Sequence, residues 1–231
     1  MPADDRTPGV IDAIRTRSSK RAFLPTPVSR EQVEAILQLA GLAPSGSNIQ
    51  PWQVYVVSGT ARDRLCDEVI QSASGDRSGH GREYDYYPNP WREPYLGRRR
   101  ACGWGLYSLL GIVKGDREAG LRQELRNFTF FDAPVGLFFY IDRDLKQGSW
   151  LDYGMFIQTV MLAARGFGLH TCPQAAWADF HSIVTPLVGA PAEQMLVCGM
   201  ALGYADPDAP VNAFRPERLP VTDYSRFQGF D

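Results

Sequence analysis

The chain has 231 residues, with 24 Lys and Arg against 26 Asp and Glu for a formal net charge of -2; 44% of its residues are hydrophobic and 22% charged. These values fit a globular chain with one sizeable core, and they exclude wholesale binding to nucleic acid, so any basic cluster is local. No run approaches the length of a membrane span, and the opening MPADDRTPGV is acidic and lacks the apolar stretch of a secretory signal.

In chain order, Val10 to Arg17 reads as a short helix that leads into the basic stretch RTRSSKRAF, and Phe23-Leu-Pro-Thr-Pro27 breaks it. Ser29 followed by Gln32 is a capping box. Val33, Ile36, Leu37, Leu39 and Ala40 then recur at helical spacing, which predicts a helix over 30–42. The loop APSGSNIQP follows, then a short buried strand at Val54–Val57 and a helix over 60–72.

Residues 74–96 have no clear period and carry Tyr84, Tyr86, Tyr87, Trp91 and Tyr95 among glycines and prolines. So long a loop is a lid or a disordered segment, and its aromatic content favours the lid. Helices are expected over 97–112 and 116–126. Val135–Ile141 is the clearest strand, Ser149 with Asp152 reads as a second cap, and a long apolar helix ends at Gly166 or Gly168. A helix apolar nearly all round is buried in a domain or a dimer. Residues 178–188 read as helix, Leu196–Leu202 as strand, and 203–231 as an aperiodic tail that must lie against something to be ordered. Helices outnumber widely spaced strands and no linker divides the chain, so residues 1–231 form one α+β domain.

Cys66, Cys102, Cys172 and Cys198 form no C-x-x-C pair and match no zinc pattern, which leaves reduced thiols and a cytoplasmic setting. No metal site is expected. His80, His170 and His181 are scattered. The chain has no P-loop, no dinucleotide fingerprint, no nucleophile elbow and no H-E-x-x-H, so the hard chemistry of an enzyme here belongs to a bound cofactor.

Arg17, Ser19 and Arg21 alternate, so in an extended segment they point to one side. Two guanidiniums and a hydroxyl suit a phosphate, although the stretch alone also fits a solvated helix end. In PSGSNIQPW, Gly46 allows close backbone approach, and Ser45, Ser47 and Asn48 supply short polar groups. In NAFRPER, Arg215 and Arg218 add cations that can complete a phosphate clamp.

Taken together, RTRSSKRAF, APSGSNIQPW and ALGY...NAFRPERLP resemble the FMN-dependent nitroreductase family in order and spacing from about residue 11 to 222. NFTFFDAPVGLFFYID, DYGMFIQTVMLAA and TCPQAA look most like its nitroaromatic-reducing branch. The resemblance implies a mainly antiparallel sheet flanked by helices, in an intertwined homodimer with FMN at the subunit interface. A lid or insert would occupy about 74–112, and the tail at about 203–231 would wrap the partner. Arg17, Ser18 and Ser19 would hold the phosphate with Arg218 closing on it and Arg215 secondary, and Arg21 would stand near N1 of the ring. Pro44, Ser45, Gly46 and Asn48 would touch the ring of the other subunit. Asn127 would bond the ring or ribityl chain, and Pro173, Gln174, Ala175 and Ala176 would lie along the flavin, with an N–H donated to N5. Some relatives have Glu-Gly where Ala175-Ala176 stand here.

The resemblance further implies ping-pong hydride transfer from NADPH or NADH through N5 to a small aromatic acceptor, a nitroaromatic or a quinone, with no catalytic side chain. The lid aromatics either stack on that acceptor or simply pack the loop on the body. Arg92, Arg98, Arg99 and Arg100 read as a solvated helix start. Alternatives within the fold are reductive dehalogenation and ene or azo reduction; outside enzymology, the alternative is a flavin-binding redox sensor.

Overall fold

The structure, a computed structural model, describes residues 9–230. The first eight residues, which make up most of the acidic opening stretch, and Asp231 at the end of the tail lie outside the described residues. Four strands form a single antiparallel sheet: β1 (Gln53–Ser58), β2 (Val135–Asp142), β3 (His170–Gln174) and β4 (Gln194–Gly203), in the order β1-β2-β4-β3. The helices are α1 (Val10–Thr16), α2 (Arg30–Ala40), α3 (Gly59–Ala73), α4 (Tyr95–Leu109), α5 (Arg117–Leu125), α6 (Gln147–Gly166), α7 (His181–Val188) and α8 (Val221–Tyr224).

Side-chain alternation along β2 divides the core in two. Val135, Leu137, Phe139 and Ile141 pack against α2 and α6, while Phe138 and Tyr140 pack against α3, α7 and the 3-10 segments at Arg126–Asp132 and Ala175–Phe180. Two glycines set the thickness of the second layer. A Cβ on Gly136 would be driven into the Phe130 ring and one on Gly199 into the Trp177 indole, and those two aromatics stack at 4.5 Å.

β4 carries a bulge. Phe139 pairs with Cys198 and Tyr140 with Leu196, so Val197 is surplus to the ladder, and Val197 and Cys198 both face the α6 side. This irregularity shapes the site described below.

The elements read from the sequence are present, with four differences, the first being that β1, read as a buried strand, is an edge strand that buries only Val57 and exposes Val56. α6 starts at Gln147, so Ser149 and Asp152 are not its cap but lie buried within its first turns. α4 starts at Tyr95, inside the stretch read as loop. β3 was not expected, because a five-residue segment containing Pro173 carries a weak strand signal; it is an edge strand, where proline costs no ladder bond. The apolar helix α6 buries one face, with Tyr153, Phe156, Val160 and Ala164 inward and Leu151 and Met155 exposed. α4 has no buried residue. The tail exposes Leu219, Val221, Tyr224, Phe227 and Phe230.

Candidate active site

The segment from Arg17 to Arg21 leaves α1 in extended conformation and runs beside the edge strand, where the Lys20 N–H donates to the Thr171 carbonyl at 3.1 Å. Arg17, Ser18, Ser19 and Arg21 line a cavity of about 460 Å³, and the tail brings Arg215 and Arg218 to the same cavity. Arg17, Ser19 and Arg21 thus share one cavity, but Ser18 between them lines it too, so the segment departs from strict alternation. Lys20 turns away and is buried, with its Nζ donating to the Asn212 carbonyl at 2.9 Å.

Among the described residues, none of the ion pairs includes Arg17, Arg21, Arg215 or Arg218. Burial, then Arg218 and Arg215, push the Arg17 guanidinium below its ordinary value. The Ser18 hydroxyl is buried and has no hydrogen-bond partner. Uncompensated cations around an unsatisfied donor form a cavity that is complementary to an anion.

His170 and Arg165 stand at its back, and nothing in the sequence marked them. Arg165 Nη1 lies 2.9 Å from His170 Nε2. Burial, followed by Arg165, Lys20 and Arg215, lowers the His170 pKa to about 3, so the ring is neutral near pH 7.

A second hollow of about 400 Å³ adjoins the end of β3, walled by Pro173, Gln174 and Ala175 on one side and by Tyr84, Tyr86 and Trp150 on the other. Val197 and Cys198, the doubled residues of the bulge, form its floor. Burial pushes the Cys198 thiol up to about 12, so it is an inert wall. The two cavities are neighbours: Ser19, Arg21 and Arg17 of the first all act on the Cys172 thiol beside Pro173.

Gln174 Nε2 donates to the Asn127 carbonyl at 2.6 Å, while Gln174 Oε1 is buried without a partner. Asn127 is thus brought to the site by its backbone, its side-chain amide donating to Glu124 O at 2.9 Å. Ala175 opens a 3-10 helix, whose first N–H groups have no intrahelical acceptor.

The aromatic stretch from Arg82 to Trp91 is docked on the body at its start. Arg82 makes a two-pronged pair with Asp179 at 2.7 and 2.6 Å, and Tyr84 Oη donates to the Val197 carbonyl within the bulge. Tyr84 packs on Trp150 at 4.9 Å. From there Tyr86, Tyr87 and Trp91 form an outward chain of rings at 4.5 and 4.9 Å. Tyr87, Trp91 and Tyr95 do not line the hollow. Arg92 and Arg98 lie over the Tyr95 ring and Arg99 over Trp91, so these arginines are engaged in stacking within their own segment. Asp85 is the one charged side chain among the residues lining the hollow.

Pro44, Ser45, Gly46 and Asn48 line neither cavity. Their loop is held from behind, the Gly46 N–H donating to Asp152 Oδ2 at 3.0 Å. No group of His, Cys, Asp and Glu among the described residues can hold a metal ion.

The model of the nitroreductase family matches residues 14–204. The chain is similar to a nitrobenzene nitroreductase of Ectopseudomonas oleovorans, at 41% identity over 96% of this chain and 97% of the relative. It is similar to a 4-nitrobenzoate reductase of Pseudomonas putida, at 42% identity over 94% of this chain and 95% of the relative. Among solved structures it is similar to the FMN and NADPH-dependent nitroreductase NfnB from Sphigopyxis sp. strain HMH. That match has a TM-score of 0.93 and 37% identity, covering 96% of this chain and 100% of that one.

Proposed function

Because the chain belongs to the nitroreductase family, we propose that it is an FMN-dependent oxidoreductase that uses NADPH or NADH to reduce nitroaromatic acceptors. One observation carries this reading: Arg17, Arg21, Arg215 and Arg218 converge on one cavity, and none of them is in an ion pair among the described residues. The residues present fit the cofactor. The orphaned Ser18 hydroxyl and the guanidiniums suit its phosphate, and the adjoining hollow with the orphaned Gln174 oxygen suits a flat polar-edged ring.

On this reading Arg17, Ser18, Ser19, Arg215 and Arg218 hold the phosphate, and Arg21 with Pro173 to Ala176 holds the ring. Held there, FMN would supply the hydride-transfer chemistry, at N5 of its ring. The chain's own part is positional. The cations fix the cofactor by charge-assisted bonds, the amide groups at Ala175 and Ala176 offer donors, and Tyr84, Tyr86 and Trp150 form an apolar wall that excludes water. Reductant and acceptor use one slot in turn, which corresponds to ping-pong kinetics.

The working form is a homodimer, in which the 203–231 tail and α4 reach the partner and Pro44, Ser45, Gly46 and Asn48 serve the partner's ring. The absence of any buried residue in α4 and the exposed apolar side chains of the tail support this. The 74–112 segment acts as the substrate lid. The four cysteines are unpaired, which supports a cytoplasmic setting.

The test is a spectrum. The purified protein should be yellow, bleach anaerobically with NADPH or NADH, and regain its colour on adding nitrobenzene. Colourless protein that takes up no FMN would end the proposal, and a flavin that NADPH and NADH leave oxidised would favour a non-catalytic flavin binder.

A further inference from the structure

The gathering of cations poses a problem that the phosphate alone does not solve. Before any anion arrives, Arg215 and Arg218 on the tail face Arg17 and Arg21 on the N-terminal segment, and like charges push the two segments apart. Something uncharged must hold them together.

Asn212 occupies that position. It is 5% exposed and lies in the 3-10 turn Pro210–Ala213, just before the two tail arginines. Its Oδ1 accepts the Arg21 N–H at 2.7 Å, and its Nδ2 donates to the Ala22 carbonyl at 2.8 Å and to the Asp206 carbonyl at 2.9 Å. Its backbone carbonyl accepts from Lys20 Nζ at 2.9 Å and from Arg215 Nη1 at 3.1 Å. Nearby backbone bonds continue the seam, from the Asp206 N–H to Ala22 O at 3.1 Å and from the Leu24 N–H to Tyr204 O at 2.8 Å.

The chemistry selects an amide. The joint needs an acceptor for one backbone N–H and donors for two carbonyls, all on one short side chain. A carboxylate lacks the donors and would cancel part of the positive field, and a cation lacks the acceptor and would add to the repulsion.

We infer that Asn212 is a positioning residue that latches the tail cations onto the N-terminal segment and so pre-forms the anion cavity for a phosphate group. This rests on the flavin reading for the identity of the ligand. Pre-forming the cavity lowers the ordering cost of binding, and because Arg17, Arg215 and Arg218 serve the phosphate and Arg21 alone of these cations serves the ring, the latch should act more on the phosphate-bearing ligand than on the ring.

The experiment compares FMN with riboflavin, which has the same ring and ribityl chain but no phosphate. Dissociation constants are measured by fluorescence titration for the wild type, Asn212→Ala and the milder Asn212→Ser. Expected is an FMN affinity lower by about tenfold in Asn212→Ala and less in Asn212→Ser, with a clearly smaller loss, about threefold or less, for riboflavin. Equal losses for both ligands, or no loss for FMN, overturn the latch. Should Asn212→Ala not fold, the same ratio in Asn212→Ser decides. A wild-type protein that binds FMN no better than riboflavin would instead bring down the phosphate assignment, and the latch with it.

Discussion

Asp152 Oδ2 accepts a 3.0 Å hydrogen bond from the Gly46 N–H, across 106 residues of chain. Asp152 is 8% exposed, and none of the ion pairs among the described residues includes it. The loop it holds contains Ser47, Asn48 and Gln50 at φ of 51°, 58° and 49°, a left-handed backbone that side chains other than glycine adopt at a cost. Asp152→Ala should therefore lower stability by about 1.5–3 kcal/mol in denaturant unfolding. Asp152→Asn keeps an acceptor and should cost less than about 1 kcal/mol. Equal losses in the two variants would show that the bond to Gly46 is not what the carboxylate provides.

Arg17 is half-buried and Arg218 exposed, so the two should not contribute equally to anion binding. Arg17→Ala should weaken FMN binding by at least about tenfold, and Arg218→Ala by less, in fluorescence titrations. Both losses should shrink at high salt, because exposed charges are screened. Unchanged affinity in Arg17→Ala would remove the residue from the phosphate site.

Asp85 contributes negative charge to the aromatic hollow, and Arg92 and Arg99 are turned to the rings of Tyr95 and Trp91. Uncharged nitroarenes should accordingly outperform carboxylated ones. Asp85→Asn should raise kcat/KM for 4-nitrobenzoate relative to nitrobenzene by roughly two- to fivefold, the range of one exposed charge contact. A ratio that does not move would place the acceptor away from Asp85.

Much of this arrangement was legible in the sequence. The alternation of Arg17, Ser19 and Arg21 is a local pattern, and the three share one cavity once the segment is extended beside β3. The second cap was misread, because Ser149 and Asp152 have the spacing of a capping pair while Asp152 in fact serves Gly46 on a distant loop. Asn212 and Lys20 could not be found by spacing at all, since their partners lie about 190 residues away and only the fold brings them together. His170 was set aside as one of three scattered histidines; its meaning comes from Arg165, Lys20 and Arg215 around it.

That environment predicts a pH dependence. His170 has a folded pKa of about 3 against about 6.5 in an unfolded chain, so the unfolded state takes up the proton first. Its contribution to stability is present above pH 6.5 and is lost as pH falls toward 3. His170→Gln retains an acceptor for Arg165 and does not titrate. The difference in thermal midpoint between wild type and His170→Gln should therefore shift against the wild type as pH falls from about 6.5 to about 4. A constant difference over that range would mean that the ring is not held neutral.

The irregularity in β4 has a consequence for how such a recess can be gained or erased. Val197 is the inserted unit, and its carbonyl is also the anchor for Tyr84. Excising that single codon would restore plain two-fold alternation with Leu196 and Cys198 on their present sides, remove one of the two β4 residues that floor the hollow and leave the Tyr84 hydroxyl without its mooring. No exchange of one side chain for another does all three, so a hollow of this shape opens or closes through insertion and deletion rather than through substitution.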